Sequence, residues 1–404
     1  MYSSTTLGEL LASTGGSIKT GPFGTTLKAA EYSSSGVPLI SVGEVGYGTI
    51  RLSEKTPRVD ARIVDRLPAY ILREGDLVFG RKGAVDRSAW VRPHEDGYFL
   101  GSDGIRVRFG EGVDSRFMAY QLQSSTSRDW LLQHASGTTM LSLNQKILER
   151  VPIVVPDYDV QQAIADVLGA LDDKIAINDQ ALRLCVELTD SKFAHAVSGI
   201  QPSDKTFGDI AKVGGGGTPK TSVEEYWNGS IPWATPTDVT ALSGPYLFST
   251  GRTITQAGLD SCSSAVYPKG SILMTSRATI GAFAIAHSPV AVNQGFIVVN
   301  ARDPRYQLWL FHEMRARVAE FVSHANGATF LELSRGKFKQ FRVRTPDAEQ
   351  AHRFSREVEE LHALASQMII ESTNIANARD ELLPLLMSGR ICVRDAEKTV
   401  EGVV

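Results

Sequence analysis

Hydrophobic positions along this chain follow two rhythms. In PLISVG, GDLVFG, GIRVRF, SILMTS and FIVVNA they form short β-rich blocks broken by Gly, Pro and Ser, a pattern that predicts strands. Such blocks fill residues 1 to about 156 and again 201 to about 346. Over about 159–198 and 348–388 strand alternation stops and Pro is missing until Pro384, which predicts one long helix in each stretch. In the first, Ile164, Leu168, Leu171, Ile175, Asn178, Leu182 and Cys185 recur at alternating steps of four and three. In the second, Phe354, Val358, Leu361, Ala365, Met368, Ser372, Ile375, Arg379 and Leu382 do the same. A mean step of about 3.5 residues makes a narrow seam, so the two helices are expected to pair as a coiled coil. Asn178 either lies in that seam and fixes its register or sits at its edge in a slightly different one. Gly199 and Gly389 fit C-terminal caps, and Pro384 is expected to bend or end the second helix.

The pattern is written twice. HASGTTMLSLN (134–144) returns as HANGATFLELS (324–334), 190 positions on. LGELLASTGGS at Leu7 echoes FGDIAKVGGGG at Phe207, an offset of 200; EGDLVFGRKGAV pairs with KGSILMTSRATI at 195, and SDGIRV with NQGFIV at 191. A shrinking offset is what small loop deletions leave behind, so the chain is a tandem duplication of about 190 residues. The expected fold class is α+β: two mixed α/β domains, 1–157 and 201–346, separated by helical spacers 158–200 and 347–392, with a mobile tail at 393–404. The spacers are expected to pack as an antiparallel coiled coil about an internal pseudo-two-fold axis. Forty helical residues span about 60 Å. Two similar domains, a rigid spacer and a pseudo-dyad match duplex DNA, whose strands are themselves related by dyads. With antiparallel packing and domains that bind it, a head-to-head distance near 50 Å would separate two half-sites by roughly 15 base pairs at about 3.4 Å each.

Composition narrows the class. A 42% hydrophobic, 22% charged chain of 404 residues is that of a globular protein with two cores. No run of 18 apolar residues exists and MYSSTTLGEL has no signal-peptide pattern, so a cytoplasmic protein without a membrane partner is expected. Cys185, Cys262 and Cys392 are odd in number and far apart, and read as reduced and structural. The net charge of −3 hides a local excess: from Arg305 to Arg344 eight Lys/Arg face three Asp/Glu. A solvated face accounts for such an excess as well as a binding surface does.

KTGPFGTTLKAAEYSSSGVPLISVGEV at Lys19, GGGGTPKTSVEEYWNGSIPWATPTDV at Gly214, the paired SGTTMLSLN and NGATFLELS, and PDYDVQQAIADVLGALDDKI at Pro156 carry a resemblance. Together, over nearly the whole chain, they resemble the specificity (S) subunit of type I DNA restriction-modification systems. The resemblance implies two target-recognition domains, each reading one half of a split, asymmetric sequence in double-stranded DNA. The helices would hold them apart and dock two modification (methyltransferase) subunits, which restriction/translocase subunits join. It places S-adenosylmethionine in the methyltransferase, ATP and Mg in the restriction subunit, and no cofactor or catalysis in this chain. Two other readings stay open: an adaptor whose domains bind something other than DNA, and a bipartite DNA-binding protein acting without a methyltransferase.

The residues themselves offer no catalytic or metal-binding set. GGGGTPKT is not a P-loop, since Pro219 stands where a Gly must precede Lys-Thr, and HEMRA at His312 has Ala316 where a zincin helix needs its second His. Asp172 and Lys174 stand two apart on a predicted helix and point about 200° apart, which rules out a shared nuclease metal. His134 and His324 read as framework histidines, and Trp227 and Trp233 as core anchors. DNA contacts are expected from residues that grip phosphate or read bases. In the first domain these are Lys19, Thr20 and Lys28 in the glycine-rich opening, Arg81, Lys82 and Arg87 after a strand, and Asn144 and Lys146 beyond the twin segment. In the second they are Thr218, Lys220, Thr235, Thr237, Arg277, Thr279, Arg335, Lys337 and Lys339. Asp86 stands where the other copy has Gly281, which leaves the loop geometry there open.

Overall fold

The computed structural model describes residues 3–137, 139–327 and 331–401. Contacts divide the chain into two bodies, one built from residues up to Lys174 with those from Asn374, the other from Ile175–Thr373. In the first, an antiparallel sheet runs in the order Ser17–Thr20, Gly104–Arg108, Leu77–Gly80, Ser88–Trp90. Leu77, Val78 and Phe79 are all buried, as a continuous apolar run bounded by glycines demands of a central strand. A smaller sheet joins Arg58–Val59, Val37–Ile40 and Phe99–Leu100.

The second body repeats this plan. Its larger sheet runs Ala211–Gly214, Phe296–Ala301, Ile272–Thr275, Phe283–Ala286, Tyr246–Leu247, and its smaller one joins Thr253–Ile254, Trp227–Ala234 and Ala291–Val292. Strand register corrects one part of the sequence alignment. Leu77 faces Val107, and Ile272 faces Val299, so the strands paired at an offset of 191 correspond at 192. Gly104, which opens one strand, and Gly295, which precedes the other, draw the sequences together one residue out of step.

Both long helices form, Tyr158–Ala196 and Ala348–Met387. In the second body Asn178 Nδ2 donates to Glu371 Oε2 at 2.9 Å, Leu182 and Cys185 cluster with Ala365, and the Phe193 and Phe354 rings lie 5.6 Å apart. Rising numbers meet falling ones, so the pair is antiparallel. Ile164, Leu168, Leu171, Leu182, Phe354, Val358, Ala365, Ile375 and Leu382 are all buried, each larger side chain contributing roughly 1.5–3 kcal/mol. Asn178 is 4% exposed: it lies in the seam, with its amide satisfied across it. Pro384 does not end the second helix, which runs on to Met387 with Ser388 closing onto the Pro384 carbonyl. Gly199 and Gly389 follow the helices at φ 81° and 69°, the left-handed conformation of a C-terminal cap. The closing segment, expected as a mobile tail, is helical over Val393–Glu401 with Ala396 buried; residues 402–404 lie outside the described residues.

Each domain is tied to the helices by a polar joint. In the first body the phenol of Tyr120 donates to Asp172 at 2.6 Å, and Arg379 donates to the other Asp172 oxygen at 2.6 Å. Asp172 is thus a structural partner. In the second body Tyr246 O–H, His362, His312 and Asp190 form a chain with links of 2.8, 3.0 and 2.9 Å, and Arg315 closes on Asp190 at 2.7 Å. The carboxylate only accepts, so His312 donates from Nδ1 and accepts at Nε2. His362 therefore donates from Nε2 and accepts the Tyr246 proton at Nδ1. Both imidazoles are neutral. Burial lowers the His312 pKa, and burial together with the facing His312 pushes His362 down to about 3. Burial works to raise Asp190, but the bonds from His312 and Arg315 outweigh it and hold it at about 2.

Candidate nucleic-acid interface

The twin segments are closed loops pinned to the turn after the central strand. His134 and His324 end the preceding helices by donating Nδ1–H to carbonyls four residues back, Trp130 at 2.8 Å and Glu320 at 3.0 Å. The loops then close through paired backbone bonds, Ser136 with Ser142 and Asn326 with Glu332. Gly137 and Gly327 turn at φ 104° and 135°, a conformation that disfavours any side chain. Leu143 and Leu333 plug the core, and their N–H groups bond to the carbonyls of Arg81 at 2.8 Å and Ser276 at 2.9 Å. Thr138 and residues 328–330 of the twins lie outside the described residues.

The glycine-rich opening loops complete a corner in each domain. Gln145 Nε2 donates to Thr20 Oγ1 at 3.3 Å, and the Arg335 side chain lies against Gly215 in the matching place. The first corner thus gathers Thr20, Phe23, Arg81, Lys82 and the end of the twin loop. Lys82 bridges Asp103 at 3.2 Å, and the Arg81 guanidinium lies over the Phe23 ring. The second gathers Thr218, Arg277, Gln294 and Arg335. Arg277 bridges Glu332 at 2.8 Å, and Thr218 Oγ1 donates to Gln294 Oε1.

The remaining candidates divide. Lys146, Lys220, Thr237, Thr279, Lys337 and Lys339 are exposed, Lys337 and Lys339 on the helix Arg335–Lys339 directly after the twin loop. Asn144 caps the helix Gln145–Glu149, accepting from Ile147 N at 3.0 Å, and Thr235 closes a capping box with Asp238; both do structural work. Lys19 is a strand residue with its ammonium 4.9 Å from the Tyr70 ring. Lys28 precedes a short helical turn whose Glu31 caps its N–H. Arg87 sits with Arg128 around the Tyr47 ring. Asp86 accepts from Tyr47 and Arg128 and has no left-handed φ, whereas Gly281 has φ 89°; the two loops differ.

Part of the basic excess is structural. Glu313 is fully buried and takes both Arg317 and Arg344, while Arg315 serves Asp190. Trp227 and Trp233 are buried, with Arg252 3.5 Å from the Trp227 ring centre. Phe23 and Gln294 escaped the sequence reading: apolar Phe23 belongs to none of the contact types sought, and Gln294 had been aligned as a framework position.

A family model described as the type I restriction modification DNA specificity domain matches residues 18–184 and 203–376, one match per repeat. The MjaIX type I restriction enzyme specificity subunit of Methanocaldococcus jannaschii is 34% identical over 171 residues, 41% of this chain and 40% of that one. The EcoR124I/EcoR124II specificity subunit of Escherichia coli is 25% identical over 171 residues, 41% and 42% of the two chains. The alignments thus span about two fifths of each curated relative. Among solved structures, the type I restriction-modification system S subunit from M. genitalium matches with a TM-score of 0.60 at 15% identity, covering 96% of both chains, which shows a shared fold. With the family's domain recurring in both repeats over most of its length, this chain belongs to the type I restriction modification DNA specificity family.

Proposed function

We propose that this chain is the sequence-recognition subunit of a type I restriction-modification complex, itself non-catalytic, with each domain reading one half of a bipartite, asymmetric DNA target. One observation carries the reading: the same corner is built twice on a shared frame, Leu143 and Leu333 pinned alike, while the exposed side chains around it differ. Two unlike half-sites require that arrangement. Lys337, Lys339 and Lys146 beside the corners suit phosphate contacts, which position a protein on DNA without reading it.

The helices are proposed as both spacer and dock. Ile177, Leu184 and Leu188 are 62%, 57% and 47% exposed, and their spacing of seven and four puts them on one helix face, an apolar stripe suited to a methyltransferase subunit. That subunit would bring S-adenosylmethionine, and a restriction subunit ATP and Mg. Co-expression with the methyltransferase is expected to methylate adenine at one two-part sequence, mapped by single-molecule sequencing. Methylation unchanged when this chain is omitted overturns the proposal. Inserting one heptad into both helices should widen the gap in that sequence by roughly three base pairs.

A further inference from the structure

The two corners hold different chemistry up to solvent at matching places. In the first, Phe23 is 61% exposed, three residues past Thr20, and the Arg81 guanidinium lies 5.5 Å from its ring centre. Arg81 also makes a long 3.5 Å contact to the Ser102 carbonyl. A ring face and a carbonyl orient a guanidinium without neutralising it, whereas the neighbouring Lys82 is held by a carboxylate. A flat, backed guanidinium presents its planar fork of donors, which matches O6 and N7 of guanine.

In the second corner strand register places Gln294 where the first has Ser102, since 294 − 102 = 192, the offset that aligns Val107 with Val299. Gln294 is exposed, as is Thr218, three residues past Gly215, whose hydroxyl donates to Gln294 Oε1. Among the described residues that bond leaves Nε2 available to donate and the second Oε1 lone pair available to accept, which matches N7 and the N6 amino group of adenine.

We propose that these are base-reading positions: Arg81, backed by Phe23, reads a guanine in the half-site of the first domain, and Gln294, oriented by Thr218, reads an adenine in that of the second. The assignment rests on the DNA-recognition reading above. The full chain co-expressed with its methyltransferase is the test system, with methylated adenines mapped for Gln294→Ala, Arg81→Ala, Arg81→Lys and Phe23→Ala. Gln294→Ala should relax one adenine position in one half at least roughly tenfold and leave the other half intact. Arg81→Ala and Arg81→Lys should relax one guanine position in the opposite half. Phe23→Ala should relax that same position more weakly, since it removes the backing and not the donors. Phe23 and Gln294 are exposed, so their variants should melt with the wild type.

An unchanged sequence in the Arg81 and Gln294 variants overturns this inference while leaving the chain's recognition role standing. Uniform weakening across sequences does too, because it marks phosphate contacts. A wild-type chain that directs no methylation overturns the recognition role itself, and this inference with it.

Discussion

Tyr120 of the first repeat and His312 of the second occupy matching places on matching buried helices, Ser115–Gln123 and Gln307–Ala316, yet tie their domains to the long helices by unlike chemistry. The first joint is phenol, carboxylate and guanidinium; the second is a chain of two neutral imidazoles between a phenol and a carboxylate. One residue further on, Gln121 donates to the Val154 carbonyl while its own Oε1 has no partner among the described residues, and Glu313 takes Arg317 and Arg344. Duplication preserved where a polar group is needed and left its identity free. The two halves should therefore fail under different insults.

The largest difference is expected at Gln121 and Glu313. Removing Glu313 leaves Arg344 without its carboxylate and Arg317 with Glu320 alone, so Glu313→Ala should cost about 3 kcal/mol. Gln121→Ala frees one carbonyl and also removes an orphaned oxygen, so about 1 kcal/mol is expected. Chemical denaturation of both variants, with hydrogen exchange to locate the loss, checks the pair. Equal costs would show that the two joints are energetically alike.

Acid should separate the halves next. The folded pKa of His362 lies near 3 and that of His312 is also lowered, against about 6.5 when unfolded. Between those values the unfolded chain binds protons that the folded chain refuses, so stability falls as pH drops below about 6.5. At pH 5, 1.5 pH units below the unfolded value, His362 alone should cost the second body about 2 kcal/mol. Asp190, held near 2, adds its loss only below about pH 4. Hydrogen exchange at pH 7 and pH 5 should show the second body opening first; uniform opening breaks the comparison. Conversely, Arg379→Met should weaken the first body by about 1–2 kcal/mol, since among the described residues Asp172 is then left with Tyr120. That loss should persist at pH 7, where the imidazole chain is intact.

Much of this architecture was legible because it is periodic or repeated. The 3.5-residue seam located both helices to within two residues, and the duplication announced a sheet plan that recurs. The joints were not legible, because His312, His362 and Asp190 are brought together from three separate elements, and no local pattern marks residues 190, 312 and 362 as neighbours. At the corners, type and place named Arg81, Thr218 and Arg277, and also Asn144 and Thr235, which cap helices; Asn and Thr suit caps and DNA equally well, so residue type alone does not separate the two uses. The one-residue slip at Gly295 concealed Gln294, because matching glycines outweighed strand register in the alignment.

The smallest expected effect sharpens the comparison at the corners themselves. Gly83 and Ala278 hold the same place after the central strand, bonding to Leu141 O and Leu331 O, at φ 76° and 58°. Glycine adopts that conformation freely, whereas alanine pays about 1–2 kcal/mol for it. Glycine's greater freedom in the unfolded chain takes back part of the difference, so Ala278→Gly should stabilise the protein by about 0.5–1 kcal/mol. A Cβ at Gly83 would meet open space, so Gly83→Ala should cost about 1 kcal/mol through φ alone. Melting curves of the two variants should shift in opposite directions. Ala278 lies between Arg277 and Thr279, and strain retained at such a place commonly positions neighbouring side chains. If Ala278→Gly gains stability and broadens the half-site sequence read by the second domain, the strain holds those two residues in place. If it gains stability with the sequence unchanged, the strained turn is an inherited shape that glycine serves equally well, as it does at Gly83.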